Sequence, residues 1–139
     1  MRVGKSPSSA VEIESTKKGT FDAILIKERI QQGKIIVKSM KSNELAQKIS
    51  KDFKLHWGGA ETIALCIENK FKAVATDDYN AIKACSVLQI NYISALGILL
   101  RLNEQKKLAK EEGMLKLKTL KYFGRYPDEL INECKNSLR

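Results

Sequence analysis

At 139 residues the chain is long enough for one domain and too short for two comfortable ones. Hydrophobic residues make up 43% and aromatic residues only 6%, so the core must be mainly aliphatic; 25 Lys and Arg against 16 Asp and Glu leave a formal net charge of +9. That balance admits a polyanionic partner, because lysines replace the counterions of a phosphate backbone, although the same lysines would equally keep a small protein in solution.

The first predicted element opens at Ser6-Pro7-Ser8-Ser9, where an early proline and hydroxyls suit a helix start, and runs from about residue 9 to 18. A second helix spans about residues 20 to 32, with Phe21, Ile24, Leu25 and Ile30 as apolar positions, and stops at Gly33. Ile35-Ile36-Val37 is a β-branched run and reads as a short strand. Ser42-Asn43 caps a third helix in which Leu45, Ile49 and Phe53 recur at helical spacing. After Trp57-Gly58-Gly59 a helix covers residues 60 to 69, and an apolar strand from 71 to 76 ends in Asp77-Asp78. Helix 79–88, strand 91–93 and helix 95–102 follow, and the tail adds helices near 111–122 and 127–137. Helices alternating with short apolar strands predict an α/β fold whose parallel sheet is covered on both faces.

Three acids stand out. Glu61 follows two glycines at the start of an otherwise apolar helix, where it would either complement the helix dipole or serve as a ligand. Asp77 and Asp78 end a strand, and in open α/β sheets ligands bind at that edge. One aspartate is enough to cap the next helix. The second then stands beside a like charge, which a divalent cation would offset. Hard cations such as Mg2+ or Mn2+ prefer such oxygen ligands, and beside a phosphodiester they polarise a phosphate oxygen and promote attack by water. Glu12 or Glu14 would bring a further carboxylate from the first helix.

Other chemistries find no support. Cys66, Cys85 and Cys134 are far apart, with no paired spacing for zinc or a disulfide framework, which fits a reducing, cytoplasmic setting. The single histidine, His56, has no evident partner for a triad, and Gly58-Gly59 is not followed by the Gly-Lys-Ser/Thr of a phosphate loop. No apolar run approaches the roughly 20 residues of a membrane span, and Met1 to Pro7 lacks the apolar stretch of a signal peptide. In the tail, Lys106, Lys107, Lys110, Lys116, Lys118 and Lys121 lie near Tyr122, Phe123 and Tyr126, a composition that would grip RNA. Leu115, Leu117, Leu120 and Phe123 fit core packing at least as well.

Gly58-Gly59-Ala60-Glu61-Thr62-Ile63-Ala64-Leu65 resembles the "GEAEAIAL" helix of PIN-domain proteins. The segment Ala75-Thr76-Asp77-Asp78-Tyr79 resembles their "TDD" strand end, including a form seen in ribosome-processing nucleases, and Ser94-Ala95-Leu96-Gly97-Ile98-Leu99-Leu100-Arg101 resembles the "GTLGVLLRA" pattern of proteins related to VapC toxins. Residues 58–139 carry the likeness, and 1–57 are more divergent within what is expected to be one domain, 1–139. The resemblance implies a three-layer α/β/α fold and a Mg2+- or Mn2+-dependent endoribonuclease, with Glu61 and Asp77 or Asp78 as acidic metal positions. Ser6-Pro7-Ser8-Ser9-Ala10-Val11-Glu12-Ile13 loosely matches the family's "TPxVxxEI" helix, which adds Glu12, or Glu14 if the register slips, and Thr76 matches a polar position near the site. It further implies RNA as substrate and an antitoxin protein as a candidate partner, while the lack of a long apolar run leads to the expectation of no membrane.

One departure matters. The family's first, central strand, "vlDtsvli", carries a principal metal ligand, and Met1-Arg2-Val3 contains no aspartate. Three explanations stand open: the true start lies upstream, a partner or second subunit fills the gap, or the sheet has closed and the chain is an inactive binding or oligomerisation module. An open strand edge invites pairing, so a homodimer or larger assembly is expected.

Overall fold

Chain contacts divide the molecule into two units, Met1–Tyr92 and Ile93–Arg139. The computed structural model describes residues 9–17, 19–124 and 126–139, without the side chains of Ser9, Ala10 and Glu14. The expected Ser6-Pro7-Ser8 helix start and the Met1-Arg2-Val3 segment therefore lie outside the described residues, as does the side chain of Glu14.

The first unit contains α1 (Ser9–Thr16), α2 (Phe21–Gln31), α3 (Glu44–Phe53), α4 (Trp57–Asn69), β1 (Val74–Ala75) and α5 (Tyr79–Val87). Its core gathers around α4, where Ala60, Ile63 and Ala64 are fully buried against α3 and α5. Ala46, Ala81 and Ala84 face the same cluster, so three helices approach closely through small side chains, while Ile49, Leu55 and Val74 fill the remaining space. Burying Ile63 stabilises by roughly 1.5–3 kcal/mol. α3 and α4 both end on left-handed lysines, Lys54 at φ 53° and Lys70 at φ 54°. The amide of Lys54 donates to the Ser50 carbonyl, closing the last turn.

Two expectations need correction here. Ile35-Ile36-Val37 forms no continuous strand, only isolated bridges at Ile35 and Lys38. The amides of Lys34 and Ile35 both donate to the Arg29 carbonyl, so the chain wraps back on the end of α2 and has no strand to pair with. β propensity needs such a partner to be expressed. The second correction concerns α4, which starts at Trp57 rather than Ala60 and takes both glycines into its first turn. Glu61 consequently lies in the second turn, beyond the reach of the helix dipole at its end.

β1 pairs with β2 (Tyr92–Ile93) in a two-stranded parallel sheet, the Val74 amide donating to the Asn91 carbonyl at 2.9 Å. The chain is thus an α/β fold dominated by helices, with a short sheet whose β2 residues are 44% and 47% exposed.

The second unit packs α6 (Ala95–Glu104), α7 (Lys110–Phe123) and α8 (Asp128–Ser137) around Leu96, Leu99, Leu108, Leu117, Ile131, Cys134 and Leu138. Asn103, 5% exposed, ties it together. Its Nδ2 donates to the carbonyls of Leu108 and Arg139, and its Oδ1 accepts from the Arg139 amide at 2.9 Å. Gly113 gives Leu138 room, since a Cβ there would meet its Cδ2 at 3.1 Å. The expected packing stripe of α7 is only half realised. Leu117 is buried and Leu120 packs against the cluster, whereas Leu115 and Phe123 face solvent; a fourteen-residue helix covered by two neighbours cannot bury every leucine on it. Among the described residues, no helix is long and apolar enough to cross a membrane.

Candidate active site

Within the first unit, the beginning of α4 and the end of β1 open onto one cavity of about 330 Å3. His56, Gly58, Gly59 and Thr62 line it from the helix, and Thr76 and Asp78 from the strand end. His56 occupies the position before α4 but makes no side-chain cap bond, so the first amides of that helix are left to solvent or to a ligand. Thr62 turns its hydroxyl inward, donating to the Gly58 carbonyl at 2.7 Å.

Asp78 caps α5. Its carboxylate accepts from the Asn80 amide at 2.9 Å, and its own amide donates to Thr76 Oγ1 at 3.2 Å. Thr76 and Asp78 thereby hold the strand-to-helix turn in one conformation. Asp77, which has no part in that cap, is exposed at the end of β1 and also makes an interaction of its own.

Glu61 is 7% exposed. Its carboxylate forms no hydrogen bond or ion pair among the described residues, yet neither oxygen is sealed from water. A carboxylate without a partner on a mostly buried helix face costs more in folding than one in open water, and its oxygens are of the kind a hard cation takes. Glu12 is half-buried on α1, next to Val11 of the cavity wall.

Of the acids proposed from sequence, Asp78 lines the cavity, whereas Glu61, Asp77 and Glu12 each adjoin a lining residue. Among the described residues, no three His, Cys, Asp or Glu side chains gather closely enough to hold one ion. His56 and Thr62 were not recognised from sequence as site residues. The signal available was their placement on either side of Gly58-Gly59, once those glycines are read as helix rather than loop.

The three cysteines are free and buried. Burial raises each thiol above its ordinary range, and Cys66 adds to the rise at Cys85.

A family model described as a PIN domain matches residues 7–138. No curated protein and no solved structure matches the chain. The match takes in both the acidic segment and the divergent N-terminal part, and it covers nearly the whole sequence: the chain belongs to the PIN-domain family, a nuclease-type fold.

Proposed function

We propose that the chain is a metal-dependent endoribonuclease of the PIN type, with Glu61, Asp77, Asp78 and Glu12 as its acidic set. The observation that carries this reading is Glu61, a residue 7% exposed whose carboxylate has no hydrogen bond or ion pair among the described residues. The residues fit a hard cation in kind, because all four offer oxygen. Mg2+ or Mn2+ bound there would neutralise charge on a phosphodiester and favour attack by water. The chain's own contribution is to orient and to bind. Thr76 and the Asn80 amide hold Asp78 in place, and the uncapped start of α4, with glycine at its second and third residues, offers amides to a phosphate oxygen. RNA is the substrate class, the setting is cytoplasmic, and self-association and an antitoxin-type partner belong to the same reading.

A manganese titration by calorimetry tests it. Saturable binding in the unaltered chain, lost in Glu61→Gln and Asp77→Asn, is expected, together with manganese-dependent cleavage of single-stranded RNA. Absence of binding by the unaltered chain would sink the metal reading.

The second reading, an inactive PIN-like binding or oligomerisation module, is favoured by the dispersal of the described acids, which form no group of three. It predicts RNA or protein binding that is indifferent to Glu61→Gln.

A further inference from the structure

The groove between α7 and α8 has an apolar floor and a basic rim. Leu115, Leu117 and Ile131 contribute to the floor of a cavity of about 370 Å3, and Lys118, Lys121 and Lys135 stand around it with Glu111 as the one acid. Lys121 is paired with Asp128 at 3.1 Å, whereas Lys118 and Lys135 make no ion pair among the described residues. One position beyond Lys121, α7 presents Tyr122 and Phe123, 83% and 79% exposed, edge to face with ring centroids 4.9 Å apart. Leu115 is two helical turns before Tyr122 on the same side of α7 and is also exposed.

We propose that the groove and the end of α7 beside it together grip single-stranded RNA, with bases stacking on Tyr122 and Phe123 and phosphates meeting Lys118 and Lys135. The inference rests on the RNA-cleaving reading above and adds a place of contact outside the acidic cavity. Bare aromatic rings accept any base on their faces, and stacking of this kind is tolerant of sequence. Charge favours nucleic acid over protein as the occupant. Lysine is depleted in protein–protein interfaces, whereas unpaired lysines beside exposed rings are what a single-stranded polyanion requires. The arrangement has no means of choosing one base over another, so the grip is one of affinity and not of sequence.

The test is fluorescence anisotropy of the full chain with a labelled uridine oligonucleotide in a chelating buffer, so that cleavage does not interfere. Tyr122→Ala and Phe123→Ala should each weaken binding by roughly 5- to 100-fold. Tyr122→Phe and Phe123→Tyr should bind like the unaltered chain, and thermal melts of all four should agree with it, because the rings are exposed. Lys118→Ala and Lys135→Ala should weaken binding and flatten its salt dependence. Unchanged affinity in the double alanine variant overturns the grip, as does equal affinity for a duplex or no binding by the unaltered chain. Loss of self-association in the double variant, with RNA affinity intact, overturns it in favour of a protein interface. If binding falls with the rings but the unaltered chain cleaves nothing in manganese, the nuclease reading fails and the grip stands. If cleavage occurs and the double variant binds as well as the unaltered chain, the grip alone fails.

Discussion

The carboxylates of Asp78 and Glu61 do different work, and substitution separates them. Asp78 accepts a backbone amide at the start of α5, so Asp78→Ala should lower unfolding free energy by about 0.5–2 kcal/mol in urea titrations. Asp78→Asn should retain most of that stability, since asparagine caps equally well, while removing the charge. Glu61 makes no such bond, and Glu61→Gln should fold at least as stably as the unaltered chain, as a thermal melt would show. The thiols supply a pH dependence. With Cys66, Cys85 and Cys134 raised in the folded chain, the folded state keeps protons that the unfolded state gives up. Their contribution is fully present below the ordinary thiol range and is lost as pH rises through the folded values. Urea midpoints measured on the alkaline side should therefore fall, and replacing the three cysteines by alanine should flatten that fall. At this scale the acids were legible in the sequence as types and positions. Which aspartate caps α5 was not, because the choice depends on the backbone of one turn, and adjacent aspartates carry the same propensity.

Elements were legible where hydrophobic period and punctuation agreed. α3, α5 and α6 have an apolar stripe and a polar start, and for α5 and α6 the predicted spans differ from the observed ones by a residue or two at their ends. Punctuation misled at Gly58-Gly59, where glycine reads as a break but packing of α4 against α3 and α5 carries the helix through it. It misled again at Ile35-Ile36-Val37, where strand propensity met no neighbouring strand. The alanines of α4 set the spacing of its neighbours. Ala64→Leu should cost about 1–3 kcal/mol by overpacking, read as a lower urea midpoint. In the second unit Asn103→Ala strands the Leu108 carbonyl and the Arg139 amide and carbonyl, a loss of about 1–3 kcal/mol by the same measurement.

For the molecule as a whole, composition pointed to a polyanion and the α/β alternation to the fold, and the family match bears out the fold. Net charge alone could not say where an RNA would be met, because charge has no address until exposure is known. Exposure of Phe123 and Leu115 was hidden from the sequence, where their spacing with Leu117 and Leu120 suits a buried face equally well. With a net charge of +9, RNA affinity should fall steeply as salt rises, at about 0.7 in log–log slope for each phosphate neutralised on a single strand.

Among the described residues, Lys54, Lys70, Gln89 and Lys106 are left-handed without being glycine, with φ between 53° and 58°, beside Gly33 at 69°. A side chain held there works against its own backbone by roughly 1 kcal/mol. Glycine at any of the four would relieve most of that, and none of them lines the acidic cavity or the α7–α8 groove. The described residues therefore hold four separate positions at which glycine would exchange backbone strain for a freer unfolded chain, so the sign of each change in melting temperature reports which of the two is larger, without touching the proposed chemistry.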